Sequence, residues 1–281
     1  KNGKKQVVDG RQRISAILDF LEGKFKLNNL RILKQFNGCC FADLDLKQQG
    51  VIEDFQLLFY IIQPPTPERV KYDIFDRVNR GGTPLNKQEM RNALYRGRCT
   101  RMLDKLCCSP EFLIATGRSI NKERMKDQYV VLRAMAFLML HRGEFKDIPA
   151  LQYRGDIDDF LARFMVYVND NAPEKLIVDY ENLFIRCMQI SYDLLGENGF
   201  RFSGNGIRRP INMPLFEALS YLFSFVPEKI DYTWASRLIL DIESVKEEFD
   251  DSRYFSGNID STTSVSFRFD RMDKIINRIQ L

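Results

Sequence analysis

Three clusters in the 281-residue sequence carry side chains suited to chemistry on phosphates. The first is Asp9-Gly10-Arg11-Gln12-Arg13. Gly10 permits close backbone approach, the first N–H groups of a following helix are unpaired, and two guanidiniums flank the turn, so the segment reads as an anion cradle. Asp9 is suited to hold a metal ion through a phosphate, to orient Arg13, or simply to cap the helix. The second is Asn79-Arg80-Gly81-Gly82-Thr83-Pro84-Leu85-Asn86, a glycine loop between two helices. Successive N–H groups at Gly81-Gly82 can form a nest, to which Arg80 adds charge. Its spacing fits neither the P-loop nor the G-x-G-x-x-G dinucleotide turn, and a tight helix connection explains it as well. The third is Arg208-Arg209-Pro210-Ile211-Asn212, preceded by Gly204-Asn205-Gly206. Two cations at a helix start are misplaced for the helix dipole. A bound anion or nucleic acid, an acidic neighbour or a functional surface would each account for them. With Arg268 and Arg271 they are the main basic features of an otherwise acidic half.

Several chemistries are excluded by counts. A single histidine, His141, must serve any triad, His-rich metal site or histidine-dependent nuclease. It follows the apolar run Ala134 to Leu140 and reads as a helix-end residue, where a cation suits the dipole. The six cysteines (Cys39, Cys40, Cys99, Cys107, Cys108, Cys187) contain no C-x-x-C and read as reduced thiols; no zinc, haem or flavin is expected. The nearly apolar stretch Tyr129 to Leu140 carries Arg133 and falls well short of the roughly 20 residues of a membrane span. With no apolar leader at the start, the expected location is cytoplasmic. The chain opens on Lys1 and reads as a fragment or a processed chain. The net charge of +4 conceals an asymmetry. Residues 1–145 hold 26 Lys and Arg against 16 Asp and Glu, and residues 146–281 hold 16 against 22. The basic half suits phosphates, whereas the acidic half is poorly suited to wrapping a duplex.

The elements that position these clusters follow from periodicity. Gln6 to Asp9 reads as a short strand feeding the Gly10 turn, after which Ile14, Ile17, Leu18 and Leu21 mark one helical face. Short strands are expected around Leu30 to Ile32 and Cys40 to Leu46, and a buried strand over Phe55 to Ile62, ending at Gln63-Pro64-Pro65. Beyond Pro67 the period is helical. Val70, Ile74, Phe75 and Val78 mark one helix, and Asn86 with Glu89 forms a capping box opening another through Leu94. Further helices are expected at about 99–108, 122–141, 156–169, 174–195, 211–225, 230–249 and 265–279. The expected class is therefore α+β: a small α/β lobe over residues 1–66, then a predominantly α-helical bundle over 67–281.

Val7-Val8-Asp9-Gly10-Arg11-Gln12-Arg13 resembles the Asp-Gly-Gln-Gln-Arg signature of the N-terminal domain family of GmrSD-type restriction endonucleases. Tyr72 to Asn92, with Asn79, Gly82, Leu85, Glu89, Arg91 and Asn92, is similar to that family's Phe-x-x-x-Asn-x-x-Gly-x-x-Leu-x-x-x-Glu-x-Arg-Asn stretch. Arg209-Pro210-Ile211-Asn212 and Leu215-Phe216-Glu217 resemble a helical segment of one branch. The resemblance implies a ParB-like or sulfiredoxin-like lobe that binds or hydrolyses nucleoside triphosphates with Mg²⁺ and helps sense modified DNA, cutting being left to a separate nuclease domain. By carry-over, Asp9 and Arg13 are the catalytic candidates, and Gly10, Arg11, Gln12, Arg13, Asn79, Arg80 and Gly81 the nucleotide or phosphate contacts; no resident protein-bound metal is expected. Arg11 replaces the first Gln of the motif, keeping a donor but losing an acceptor. The family's upstream Ile-x-x-Pro-x-x-Gln-Arg element is not in this sequence.

The expected function is a nucleotide-binding sensor or regulatory protein of a DNA-modification-dependent restriction or phage-defence system, with possible NTP hydrolysis and a separate nuclease subunit as partner. The alternative is a non-catalytic adaptor whose helical part binds a protein.

Overall fold

The computed structural model describes residues 10–62, 85–203, 208–229 and 231–279, with Val7, Thr66, Val70, Ile74 and Arg77. The chain divides into two compact units, residues 1–84 and 85–281. Among the described residues the regular structure is entirely helical, and the class is all-α. The expected α/β lobe is thereby corrected.

In the first unit, α1 (Arg11–Leu21) carries the expected stripe, and Gly23 follows it with φ 70°. Phe20 is buried against Phe25 and Phe41, with ring centroids 5.5 and 6.0 Å away. The segments expected as strands take other forms for local reasons. Around Leu30, the Asn37 side chain accepts from the Leu30 N–H (2.8 Å) and donates to its carbonyl (3.2 Å), closing a loop in place of a ladder. Cys40 to Leu46 contains a 3-10 turn, Phe41–Asp43, held by Asp43 accepting from the Cys40 N–H at 2.8 Å. Asp45 then accepts from the Gln48 N–H and caps α2 (Leu46–Glu53), a helix that the sequence reading omitted. Phe55 to Ile62 has no regular structure, and Phe55, Leu58 and Tyr60 are 70%, 79% and 89% exposed. An apolar run of this length does not by itself determine strand or burial. The strand expected before Gly10 lies mostly outside the described residues; of the helix expected from Val70, Ile74, Phe75 and Val78, Val70 and Ile74 are described and are helical, as is Arg77, while Phe75 and Val78 lie outside the described residues.

The second unit is a helical assembly of α3 (Lys87–Leu94), α4 (Arg98–Cys107), α5 (Pro110–Ala115), α6 (Lys126–His141), α7 (Ile157–Asp170), α8 (Glu174–Leu195), α9 (Met213–Phe223), α10 (Tyr232–Asp250) and α11 (Thr262–Ile279). Its centre is made by α6 and α9. Every residue from Val130 to Met139 and from Pro214 to Phe223 is buried, so these helices are covered on all sides and show little amphipathic contrast. Phe137, Phe160 and Phe269 join α6 to α7 and α11, with centroids 5.3 and 5.6 Å from Phe137. Phe112, Phe184 and Phe216 join α5, α8 and α9. The helix expected from residue 122 begins at Lys126, because the preceding 3-10 turn places Arg124 and Met125 at φ 56° and 57°, off the helical path. Residues 99–115 form two helices: the Ser109 hydroxyl accepts from the Phe112 N–H and Pro110 occupies the first turn. Among the described residues no helix is long and apolar enough to cross a membrane.

Candidate functional site

The cradle expected at the Gly10 turn is visible from Gly10 onward; Asp9 lies outside the described residues. Gly10 is the N-cap of α1 at φ 86° and ψ 6°, a left-handed conformation that costs glycine little. Its carbonyl accepts the first helical bond, from the Ile14 N–H at 2.8 Å. Among the described residues no side chain caps the turn, and the first turn contains no acid. The end of the helix thus keeps outward N–H donors and the positive end of its dipole. Arg11, Gln12 and Arg13 are all exposed. Arg13 folds back across the turn: a Cβ at Gly10 would lie 3.6 Å from its terminal guanidinium nitrogen.

Asn79, Arg80 and Gly81, with the rest of the loop through Pro84, lie outside the described residues. The second part of that motif is described and is built into the second unit. Asn86 caps α3, accepting from Gln88 and Glu89 N–H groups at 2.8 and 2.9 Å, while Glu89 accepts from the Asn86 N–H at 2.6 Å. The Asn86 amide also donates to the Arg124 carbonyl (2.7 Å), and the Arg124 guanidinium reaches Glu89 at 3.0 Å. Asn92 bonds Gln128, which donates to Asp104 at 2.7 Å. Arg91 is wholly buried, 2.8 Å from Asp158, and Lys87 reaches the other oxygen of that carboxylate. Burial opposes the charge of Asp158, but Lys87 and Arg91 outweigh it and hold the carboxyl below its usual range.

Arg91 lies over the Tyr129 ring (5.2 Å), and Arg133 lies 5.5 Å from the same centroid. Arg133 pairs with Glu217 and, at 2.6 Å, with Asp260, and donates to the Tyr129 hydroxyl at 3.1 Å. Burial opposes its charge; Glu217 and Asp260 overcome this and hold Arg133 firmly protonated. Glu217 also takes Arg268 at 2.6 Å, and all three of Arg133, Glu217 and Arg268 are at most 1% exposed. Sequence reasoning grouped Arg268 with the basic features of the acidic half and did not find this network. Charged residues inside apolar stripes were the only signal, and their partners lie 84 and 51 positions away. Arg133, Glu217 and Arg268 are buried deeply enough to act as a structural element.

His141 ends α6 as expected, but not as a cation. Its ring stacks on Phe269 at 3.6 Å and Nε2 is buried without a hydrogen bond. Burial, then the charge of Arg268, lowers its pKa to about 3. The six cysteines are unpaired; burial pushes the Cys187 thiol up to about 12 and those of Cys99 and Cys107 still higher. Among the described residues no group of three His, Cys, Asp or Glu side chains is arranged to hold a metal.

Arg208 and Arg209 stand before the helix start, since α9 begins at Met213 with Asn212 as its cap. Both have acidic neighbours: Arg208 meets Glu197 at 2.7 Å, and Arg209 pairs with Asp250 while lying over the Phe202 ring at 5.3 Å. Arg271 pairs with Glu248 and lies over Phe267.

Residues 1–96 match the family described as GmrSD restriction endonuclease, N-terminal domain. No curated protein and no solved structure matches the chain. The matched stretch takes in the Gly10 turn and ends just beyond α3.

Proposed function

With residues 1–96 belonging to the GmrSD restriction endonuclease N-terminal domain family, we propose that the chain is a nucleotide-binding sensor or regulatory protein of a restriction system, using the turn that opens α1. The carrying observation is the exposure of Arg11, Gln12 and Arg13 directly after a left-handed Gly10, at a helix end with no side-chain cap among the described residues and no acid in its first turn. Phosphates fit this donor set: main-chain N–H groups and the dipole favour negative charge, and guanidiniums bind phosphate oxygens in pairs. Gly10 would admit the phosphate chain, while Arg11, Gln12 and Arg13 would hold it. Asp9 would orient Arg13 or a Mg²⁺ carried in by the nucleotide, and Arg13 would stabilise charge developing on a transferring phosphoryl group. Asn79, Arg80 and Gly81 are further candidate phosphate contacts. Modified DNA is the proposed signal, and a separate nuclease subunit the proposed partner.

Equilibrium dialysis against labelled ATP, GTP and CTP with Mg²⁺ tests this reading. Binding of one nucleotide, lost in a folded Arg13→Ala variant, is expected; equal retention by the variant contradicts it.

A second reading, the non-catalytic adaptor, is favoured by the exposed apolar residues of the first unit, including Ile17, Leu18, Phe55, Leu58, Phe59 and Tyr60. Such residues on one unit suit a protein partner. They lie in the N-terminal unit, whereas the sequence assigned partner binding to the helical part.

A further inference from the structure

Arg201 is 4% exposed, yet its guanidinium meets no carboxylate. Its bonds run to the carbonyls of Glu197 (3.2 Å), Thr116 (3.2 Å) and Arg209 and to the Ser119 hydroxyl, all uncharged acceptors. Buried charges in proteins are ordinarily paired, because hydrogen bonds to neutral groups do not cancel a net charge. The surroundings add cations. Arg208 comes close enough that burial and its charge together pull the Arg201 guanidinium below its ordinary range. Arg118 is exposed and forms no ion pair among the described residues. Arg209 and Lys246 complete the corner, Lys246 donating to the Asn198 carbonyl.

The carboxylates near this corner are already engaged. Glu197 is taken by Arg208, Asp250 by Arg209 and Glu243 by Lys246, so the one carboxylate that acts on Arg201, Glu197, is shared with Arg208, and Arg118 has no ion pair among the described residues. The turn between α5 and α6 is shaped for the same purpose. Gly117 sits at φ 58°, and a Cβ there would collide with the Arg208 guanidinium and lie 2.6 Å from Glu197. Arg208 therefore rests directly on the turn that presents Arg118 and the exposed Ser119. The Arg208–Glu197 pair is itself half exposed (44% and 52%), a class of pair worth little in water and readily exchanged for a stronger anion.

We propose that Arg118 and Arg208, above the buried Arg201, form a contact site for the phosphodiester backbone of DNA. A phosphate adds negative charge at this corner and displaces Glu197 from Arg208. The site is distinct from the α1 turn and deepens the restriction-system reading by placing a DNA contact in the helical unit.

The test is fluorescence anisotropy of the whole chain with a labelled 30-base-pair duplex, and with a 30-nucleotide single strand, across a salt series. The variants are Arg118→Gln with Arg208→Gln, and, as control, Arg96→Gln with Lys175→Gln. Each lost phosphate contact lowers the log–log salt slope by about 0.9 on a duplex and about 0.7 on a single strand, so the double variant is expected to lose about 1.8 units if the duplex binds or about 1.4 if the single strand does, with an unchanged melting temperature. The control pair is expected to leave the slope unaltered. An equal slope in the Arg118/Arg208 variant overturns the proposal, as does the absence of binding to either polynucleotide. Binding of inorganic phosphate alone, read as a thermal shift abolished in the variant, reassigns the site to free anions and overturns the DNA assignment. These readouts do not involve Arg13, so the site and the nucleotide reading fail separately.

Discussion

Arg91 and Asp158 meet at 2.8 Å between α3 and α7, with the arginine side chain 1% exposed and the carboxylate 29% exposed. Arg91 lies within the stretch that matches the GmrSD N-terminal domain, whereas Asp158 lies 67 residues further on in the helical unit. The last residues of the matched stretch, 85–96, are part of the helical unit, and this ion pair holds α3 to α7 within it. Arg91→Ala strands Asp158 with only the exposed Lys87 and opens a cavity beside Tyr129. The expected loss of stability is about 3 kcal/mol, read from urea unfolding. A change within error of zero would show that the pair does no anchoring.

The Arg133–Glu217–Arg268 cluster gives a second stability prediction. Glu217→Gln preserves shape but leaves Arg133 with Asp260 as its carboxylate and Arg268 with only neutral acceptors such as the Ile259 carbonyl. Removing one partner of such a cluster costs on the order of 3–5 kcal/mol. Adding Arg268→Met to that variant removes one stranded cation, and its denaturation midpoint is expected to recover part of the loss. Additive losses in the pair would contradict the coupling.

His141 sets an acid-side slope. Its pKa is about 3 in the folded chain, against the ordinary value near 6.5. Between those values the unfolded chain binds a proton that the folded chain refuses, so stability falls as pH decreases, by up to about 1.4 kcal/mol per unit. The loss begins below roughly pH 6.5 and continues towards 3. Above roughly pH 6.5 both states are neutral and the effect vanishes. His141→Phe keeps a ring against Phe269 but removes the titration. Urea midpoints at pH 6.5 and 4.8 should therefore diverge less in the variant than in the parent, a range chosen to lie above the roughly pH 4 titration of unfolded carboxylates. Parallel behaviour would show that His141 accepts its proton in the folded state.

Much of the helical unit was legible in the sequence. The Asn86–Glu89 capping box and the apolar faces of α7 and α8 specify their helices locally. Local signals also existed for α2 and α5, in Asp45 to Gln48 and in Ser109-Pro110, but neighbouring apolar patterns obscured them. The first unit was misread because Phe55 to Ile62 has the composition of a buried strand, while the structure leaves it without a ladder. The Gly10 turn was recognised because glycine and arginine types report backbone and charge directly. Arg201 and Glu217 escaped because burial of a charge depends on partners brought together only by the tertiary fold.

The most direct test of the account is the melting temperature of the chain with saturating NTP and Mg²⁺, beside that of Arg13→Ala. A ligand at 100 times its Kd adds about 2.7 kcal/mol to the native state. The account predicts a rise of several degrees with one nucleotide and none in the variant. The same rise in both proteins would place the nucleotide elsewhere and contradict the assignment of the α1 turn.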